Sequence, residues 1–478
     1  MSEPAGLALS KNTTSRKSRV LGWALWDWGT QPFNTVIITF VFSVYLTTGS
    51  YFNPTNPNGP TQALAVSTTV AGVVIALLAP VLGQTADRSG HIVRNMRWLT
   101  WFLGAISMAL YFVAPRPSYL IWGLVLLAGG SIVNEIASSF YNATIDQVAT
   151  ERNVGKVSGF GWGMGYLGGI LILLLILVLF IQPEVGLFGL TDTPSKIRVA
   201  MILCGVWTLV FTIPAFATLR DKPVPPVTTR VGVIGSYKAL IRSIVSLWRT
   251  DRHVAYFLLA SALFRDGLAA VFTFGAVLAA QSFAFTTTEI IYFGAAANLI
   301  AGVVTMLFGL LDDKIGPKKV ILICLGVLSA GALAVYFLHQ PAYSGCLPVN
   351  DICTNPAYDP ALERQGKTIF WVFGLLLSSL CGPAQAASRS FLARIIPEGR
   401  TGEIFGLYTT TGRAVSFISP ALFGLFVTLG AAVTGSNATQ HWGVIAIAIV
   451  LAAGFVVLLP VRERTRSAAP PEGTRPDR

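Results

Sequence analysis

The loop sequence G-Q-T-A-D-R-S-G, from Gly83 to Gly90, has a second copy later in the chain, G-L-L-D-D-K-I-G, from Gly309 to Gly316. Both copies read G-x-x-x-D-[RK]-x-G. The shared positions are Gly83, Asp87, Arg88 and Gly90 in the first copy and Gly309, Asp313, Lys314 and Gly316 in the second. One such turn is also compatible with an ordinary solvated loop, but two copies at matching places indicate an internal repeat.

Glycines and an aspartate extend this repeat beyond the two loops. Two pairs of glycines keep a constant offset of 247 residues, and one aspartate precedes the loop in each half. The pairs are Gly159 with Gly406, Gly165 with Gly412, and Asp27 with Asp266. We therefore predict that the chain consists of two related halves.

The composition is that of an integral membrane protein. Of 478 residues, 53% are hydrophobic and 12% are charged, and the mean hydropathy is +0.64. Soluble proteins carry about 25% charged residues. Twelve apolar runs have about the 20 residues that cross the hydrocarbon layer as a helix. Backbone groups in lipid must be satisfied within the segment, so each run is predicted to be helical.

The predicted fold is an all-α membrane protein with twelve transmembrane helices in two six-helix pseudo-repeats. The spans lie near 20–48, 62–85, 98–114, 118–141, 158–181, 197–219, 253–280, 286–311, 319–338, 367–390, 403–430 and 440–461. The halves are residues 20–219 and 253–461, with a linker at 220–252 and tails at 1–19 and 462–478.

The basic residues predict the orientation. With a cytosolic N-terminus, the tails and the loops after the even-numbered spans hold 26 of the 34 Lys and Arg residues. The opposite loops hold Arg116, Lys196, Arg198, Arg364 and Lys367. This positive-inside pattern explains the net charge of +12 without nucleic acid as a partner. Both tails and the linker are expected in the cytosol, and loop 339–366 outside.

Three stretches resemble a known family. They are W-A-L-W-D-W-G-T-Q-P-F at 23–33, V-S-G-F-G-W-G-M-G-Y-L-G-G at 157–169 and S-R-S-F-L-A-R-I-I-P-E-G-R at 388–400. With twelve spans and the repeated loop, the chain resembles the major facilitator superfamily of secondary transporters. The stretches resemble its vacuolar-effluxer-like branch, whose eukaryotic members are associated with amino-acid efflux from the vacuole.

The resemblance implies a secondary transporter that moves a small polar solute, such as an amino acid or similar zwitterion, by alternating access. It is expected to be a monomer in a bacterial plasma membrane. Alternatives are an efflux transporter of drugs or other small molecules, a non-transporting solute sensor and a membrane-embedded enzyme. A sensor would be favoured by a large signalling domain, and an enzyme by a nucleophile with a partner at one membrane face; neither feature stands out.

Polar residues within span 1 predict a cavity face. Asp27, Gln31 and Asn34 fall at i, i+4 and i+7, on one side of a helix. Such groups within a span usually face a water-filled path. Alternatively, Asp27 is about seven residues into the span and could be wetted at the cytosolic end or cap a neighbouring helix.

The other spans supply further candidates for the cavity. They are Glu135 and Asn142 in span 4, Arg265 and Asp266 in span 7, Asn298 in span 8, Gln385 in span 10 and Arg413 in span 11. Arg413 is a candidate anchor for a carboxylate of the solute, whereas Arg389 is expected to snorkel to the cytosolic surface. Protons are the expected coupling ion, with Asp27 and Glu135 as leading carriers and Asp266 as a third. The alternatives are sodium coupling and a purely structural role for all three acids.

By the same resemblance, the repeated loops form a cytosolic gate. Asp87 should approach the start of span 11 and Asp313 the start of span 5, where the helix N-terminus favours a carboxylate. These contacts would hold the inside gate shut.

The remaining motifs exclude other chemistry. Glycine-rich span 5 is predicted to let helices approach closely; it is not a nucleotide loop, because no soluble strand and helix unit surrounds it. The chain has no Walker A motif, and its four His residues form no cluster with Cys, so no cofactor or metal is expected. Cys346 and Cys353 share the long polar outside loop and are predicted to form a disulfide.

Overall fold

The computed structural model describes residues 16–47, 49–52, 59–150, 152–221, 251–285, 287–340, 360–396, 400–435 and 439–462, with a few positions between 235 and 249. Several predictions fall outside these residues. They are the conformations of most of both tails and of most of the linker, and the disulfide between Cys346 and Cys353.

The described chain contains twelve helical spans, as the sequence predicts. We number the long helices by span: α1 (Arg16–Pro32), α2 (Gly59–Ser89), α3 (Ile92–Ala109), α4 (Leu120–Ala143), α5 (Val154–Ile176), α6 (Thr193–Thr218), α7 (Arg252–Ser282), α8 (Thr287–Ile315), α9 (Pro317–Leu338), α10 (Pro360–Ile395), α11a (Thr401–Val415), α11b (Ile418–Thr434) and α12 (Gly443–Leu458). Ten spans in the described residues are long and apolar enough to cross a membrane by length and composition alone. Spans 1 and 3 are the other two.

Span 1 is irregular because of its proline. After Pro32 the helix continues as a π-helix, Phe33–Phe40, and then as the short α-helix Phe42–Thr47. The backbone N–H of Val41 donates to the carbonyl of Val36 at 2.9 Å, a bond that skips five residues. Wider turns of this kind occur often at functional sites.

The most extensive helix contacts between the halves are those of α5 with α8 and of α2 with α11a. The repeated loops lie at these crossings. A Cβ at Gly309 would come within 2.8 Å of the Gly155 carbonyl, and a Cβ at Gly83 would collide with the backbone of Gly402. Gly155 and Gly402 differ by 247 positions, the offset predicted for the repeat. We call the end of the molecule that carries these loops the motif face.

The last glycine of each loop has a conformational role. Gly90 has a φ of 69° and Gly316 a φ of 90°, in the region that side chains with a Cβ rarely adopt. Each residue lets the chain turn sharply between two successive spans.

Helix α5 uses its glycines on two faces. A Cβ at Gly159 would lie 2.6 Å from the carbonyl of Thr305 on α8. On another face, a Cβ at Gly161 would lie 2.7 Å from the ring of Trp23 on α1, and one at Gly168 would lie 2.9 Å from the carbonyl of Trp28. The predicted close approach of helices is therefore present on both sides of α5.

A candidate transport cavity between the two halves

A polar cavity of about 480 Å³ lies between the halves. Of the ten predicted cavity residues, nine line it: Asp27, Gln31, Asn34, Glu135, Asn142, Arg265, Asp266, Gln385 and Arg413. The exception, Asn298, donates its amide to the carbonyl of Gly294 one turn earlier in α8, at 2.8 Å, so that its polar group is used within its own helix.

The floor of the cavity is built around Arg389, which comes from α10 and is only 3% exposed. Its Nε donates to Ser158 Oγ at 2.9 Å, and its Nη2 donates to the Ser158 carbonyl at 2.7 Å. Its Nη1 lies 3.1 Å from Asn142 Oδ1 and 3.4 Å from Asp27 Oδ2. All these partners belong to the first half of the chain, so Arg389 joins the two halves. The prediction that it snorkels to the surface is wrong.

Aromatic rings surround the same guanidinium group. Its carbon lies 4.8 Å from the ring centre of Trp23, 5.5 Å from that of Tyr141 and 5.9 Å from that of Trp162. Tyr141 is itself stacked between Trp23 and Trp26, at 4.4 and 4.3 Å. The tryptophans of the W-A-L-W-D-W stretch thus help to form the walls that enclose the buried charge.

A second ion pair joins the halves nearer the middle of the cavity. Arg413 Nη2 on α11a lies 2.7 Å from Glu135 Oε2 on α4. Both side chains remain accessible, with 40% of Arg413 and 23% of Glu135 exposed. This pair is therefore in contact with the cavity, whereas the Arg389 pair is almost fully buried.

Arg265 and Asp266 do not pair with each other, because adjacent residues point to different sides of a helix. Arg265 lies 4.0 Å above the ring of Tyr408 and donates to the Tyr408 carbonyl at 2.9 Å. Asp266 is 6% exposed and accepts the backbone N–H of Ser419 at 2.8 Å. This carboxylate therefore caps the start of α11b, after the break at Ser416 and Phe417.

Amide side chains line the rest of the cavity wall that the first half of the chain contributes. Asn134 Nδ2 donates to Asn34 Oδ1 at 3.2 Å and so connects α4 to the π-helical part of span 1. A Cβ at Gly165 would lie 2.9 Å from Gln31 Nε2, so this glycine leaves room for the amide.

A second group of charges connects the two halves at the motif face. Asp313 accepts the backbone N–H groups of Gly155 at 2.8 Å and Lys156 at 2.9 Å, at the start of α5. Arg394 Nη2 lies 3.1 Å from Asp313 Oδ1 and 3.2 Å from Asp312 Oδ1. This is the position that the resemblance implies for Asp313. The side chain of its counterpart Asp87 lies outside the described part of the chain.

Some residues at these sites were missed from the sequence. They are Asp312, buried and hydrogen-bonded to Ser390, together with Ser158, Tyr141, Trp162 and Tyr408. The tryptophan-rich stretch around Asp27 was an available signal for the aromatic walls. The described residues contain no group of three or more His, Cys, Asp or Glu side chains that could hold a metal ion.

Solved structures share this architecture. The "proton:xylose symporter XylE" matches with a TM-score of 0.68 and 12% identity, covering 95% of this chain and 97% of that one. A "bacterial homologue of iron transporter ferroportin in outward-facing state" matches with a TM-score of 0.62 and 16% identity, covering 93% and 98%. These identities show the fold alone, which is that of the major facilitator superfamily of transporters.

Sequence comparison places the chain more narrowly. The family model described as "Vacuole effluxer Atg22 like" matches residues 146–469, and the chain belongs to this family. It is 22% identical over 449 residues to the "Uncharacterized MFS-type transporter YxiO" of Bacillus subtilis (strain 168), covering 93% of this chain and 94% of that protein. It is 26% identical over 293 residues to "Autophagy-related protein 22-1" of Neosartorya fischeri, covering 56% and 43%. The match thus spans less than half of the fungal relative.

Proposed function

We propose that this membrane transporter is a secondary transporter for a small polar solute, most simply an amino acid or similar zwitterion. The observation that carries the proposal is the ion pair between Glu135 and Arg413, which places one charge from each half in an accessible cavity between them. Charged groups within a membrane are costly and usually mark a substrate or ion path. The cavity volume of about 480 Å³ lies within the range of about 300–1,000 Å³ of ligand pockets.

Transport occurs by alternating access. The named hydrogen bonds between the halves run from Asp313 at the motif face, through Arg389, to the pair of Glu135 and Arg413. Lining residues such as Thr273 and Phe274 lie further from that face, near the other end of α7. This arrangement supports a conformation closed at the motif face, and rocking of the halves would break these contacts and open that face.

Protons drive the transport through carboxylates of the cavity, with Asp27 and Glu135 as the carriers. Both acids lie within hydrogen-bond distance of an arginine from the other half, so a change in their protonation changes the contacts between the halves. Solved proton symporters for xylose and fucose share this fold, so the fold is compatible with proton coupling. Asp266 is the weaker candidate because its carboxylate caps α11b.

The protein acts as a monomer in a bacterial plasma membrane, with both termini in the cytosol. The full-length match to a Bacillus subtilis relative supports this membrane. Reporter fusions or cysteine labelling should place loop 220–252 and both tails inside, and loop 339–366 outside. A C-terminus found outside would contradict the proposed topology.

Uptake by purified protein in proteoliposomes tests the function. Amino acids are screened with and without a pH gradient, and then the variants Asp27→Asn and Glu135→Gln are compared with Glu184→Gln, a control in the loop between α5 and α6. The amide variant of a coupling acid should lose gradient-driven uptake yet keep much of the solute exchange measured at equal pH on both sides. If both amide variants still concentrate solute when driven by pH alone, the proton assignment fails. If the unchanged protein moves no amino acid, the solute assignment fails.

A further inference from the structure

Three arginines and three carboxylates line the cavity, but only two of the arginines form ion pairs there. Arg389 pairs with Asp27, and Arg413 pairs with Glu135. Within the described residues, Arg265 has no carboxylate partner among the ion pairs. The neighbouring carboxylate of Asp266 is bound to the backbone N–H of Ser419. Arg265 therefore forms no ion pair with a carboxylate of the described residues, although the numbers of arginines and carboxylates in the lining are equal.

Arg265 is held in place without a carboxylate. Its Nη1 donates to the Tyr408 carbonyl at 2.9 Å, and its guanidinium carbon lies 4.0 Å above the Tyr408 ring. A Cβ at Gly412 would lie 3.0 Å from the same Nη1, so the absence of a side chain there leaves room for the guanidinium. Since an arginine carries five N–H donors, the fixed group retains donors for a planar, bidentate acceptor.

Glu135 experiences the positive charges of both Arg413 and Arg265. Glu135 forms its ion pair with Arg413. The positive charge of Arg265, which belongs to the same half of the chain as Arg413, also acts on Glu135. Arg413 and Glu135 are both exposed to the cavity, so that a solute can reach their contact. Other charged and titratable groups share the cavity lining; they are Asp27, Asp266, Arg389, Tyr166 and Tyr408.

We propose that Arg265 and Arg413 together bind a carboxylate of the solute, and that this carboxylate displaces Glu135 from Arg413. Building on the proposed function, this assigns the solute to the class of small organic carboxylates, amino acids included. Loss of the guanidinium partner favours the protonated form of this partly buried acid. Glu135 therefore takes up one proton from the side that the cavity faces as the solute carboxylate binds.

The charges balance over the cycle. The solute carboxylate replaces the Glu135 carboxylate beside Arg413, and the proton neutralises Glu135, so the cavity gains one carboxylate and one proton. After release on the other side, Glu135 loses its proton and returns to Arg413. A monocarboxylate would thus move without net charge, whereas a zwitterionic amino acid would carry one positive charge per cycle.

Binding to the purified full-length protein tests the proposal independently of transport. The tryptophans Trp26 and Trp162 line the cavity, so their fluorescence is followed during titration with acetate, succinate, L-alanine and L-alaninol. The three carboxylates should bind, and L-alaninol, which has the amine of alanine but no carboxylate, should not. Arg265→Gln should weaken binding at least tenfold, whereas the control Arg116→Gln in an outside loop should leave it unchanged. Arg265→Lys should show an intermediate loss because it keeps the charge without the planar fork.

The pH dependence separates displacement from simple attraction. In the unchanged protein a carboxylate should bind more tightly as the pH falls, because protonated Glu135 no longer competes for Arg413. Glu135→Gln should bind more tightly at neutral pH and lose this dependence, and thermal melts of each variant confirm that it is folded. Binding of none of the three carboxylates, equal affinity in Arg265→Gln, or an unchanged pH dependence in Glu135→Gln would each overturn the proposal. None of these binding results decides whether the protein transports a solute, which the uptake screen tests separately. Membrane-potential measurements then distinguish a neutral cycle from one that carries charge.

Discussion

Replacement of Arg389 by glutamine should open the motif face. In the structure this arginine forms hydrogen bonds with Ser158 and Asn142 and an ion pair with Asp27, all from the opposite half. In the proposed alternating-access cycle these partners separate when the halves rock apart at this face, so the contacts would stabilise the closed state only. Arg389→Gln should therefore shift the equilibrium between conformations rather than remove the fold.

The size of the shift follows from the burial of the pair. Removing one partner of a buried ion pair costs about 3–5 kcal/mol. Asp27 retains 15% exposure and can be partly hydrated when Arg389 is lost, so the lower figure of about 3 kcal/mol is appropriate. A difference of this size changes the ratio of closed to open states roughly 150-fold. Arg389→Lys should give a shift between those of the parent protein and Arg389→Gln, because it keeps the charge but lacks the planar guanidinium fork.

Spin labels on the motif face measure the change. Arg94 on α3 and Lys319 on α9 are exposed and belong to different halves, so each is replaced by a labelled cysteine after the five native cysteines are removed. Double electron–electron resonance should give mainly a short distance between the two labels in the parent protein. In Arg389→Gln a longer distance between them should be more populated. The matched control is Arg198→Gln, because Arg198 donates to the Tyr111 carbonyl at 2.6 Å within the first half and away from the motif face. An Arg389→Gln distance distribution identical to that of the control would refute the reasoning.

Three further predictions concern other parts of the molecule. Asp313→Asn should weaken the contact with the start of α5 by about 1 kcal/mol and favour the open motif face about fivefold; the same labels would report it, and an unchanged distribution would exclude a gating role. Mass spectrometry of non-reduced peptides, from protein isolated under thiol-blocking conditions, should show a disulfide between Cys346 and Cys353; two free thiols would contradict this. Burial and, secondarily, the neighbouring imidazole of His441 lower the pKa of His339 from 6.5 to about 4, so the unfolded chain binds a proton more readily than the folded protein. The stability that neutral His339 provides is thus present above pH 6.5 and is lost as the pH falls toward 4. Thermal melts should show a weaker acid dependence in His339→Gln, and parallel curves for both proteins would count against it.

The fold could be predicted from the sequence because the signals for it extend over whole segments of the chain. Long apolar runs specify helices in lipid wherever they occur, and the resemblance implied the contact of Asp313 with the start of α5, where the halves cross. Boundaries and irregularities were less visible. The break near Ser416 was not predicted, since the residues on both sides of it are compatible with a continuous helix.

The candidate site was predicted in its members more than in its pairings. Helical periodicity predicted that Asp27, Gln31 and Asn34 face a cavity. These three are among the nine of ten predicted residues that line it. Which acid meets which arginine depends on the approach of distant helices, and that information is absent from local spacing. Arg389 was assigned to the surface because it lies near the end of a predicted span, although its partners come from three other helices.

The two glycine faces of α5 impose different requirements on the sequence. The face against Trp23 belongs to one arrangement of the first half, and complementary packing there can be refined for a single neighbour. The face against Thr305 and Gly309 touches the other half, whose position changes if the halves rock. A side chain shaped for one arrangement would obstruct the next, so a surface that must fit several successive neighbours is best kept smooth. Along that face, the lack of side chains is itself what allows one helix to serve every conformation.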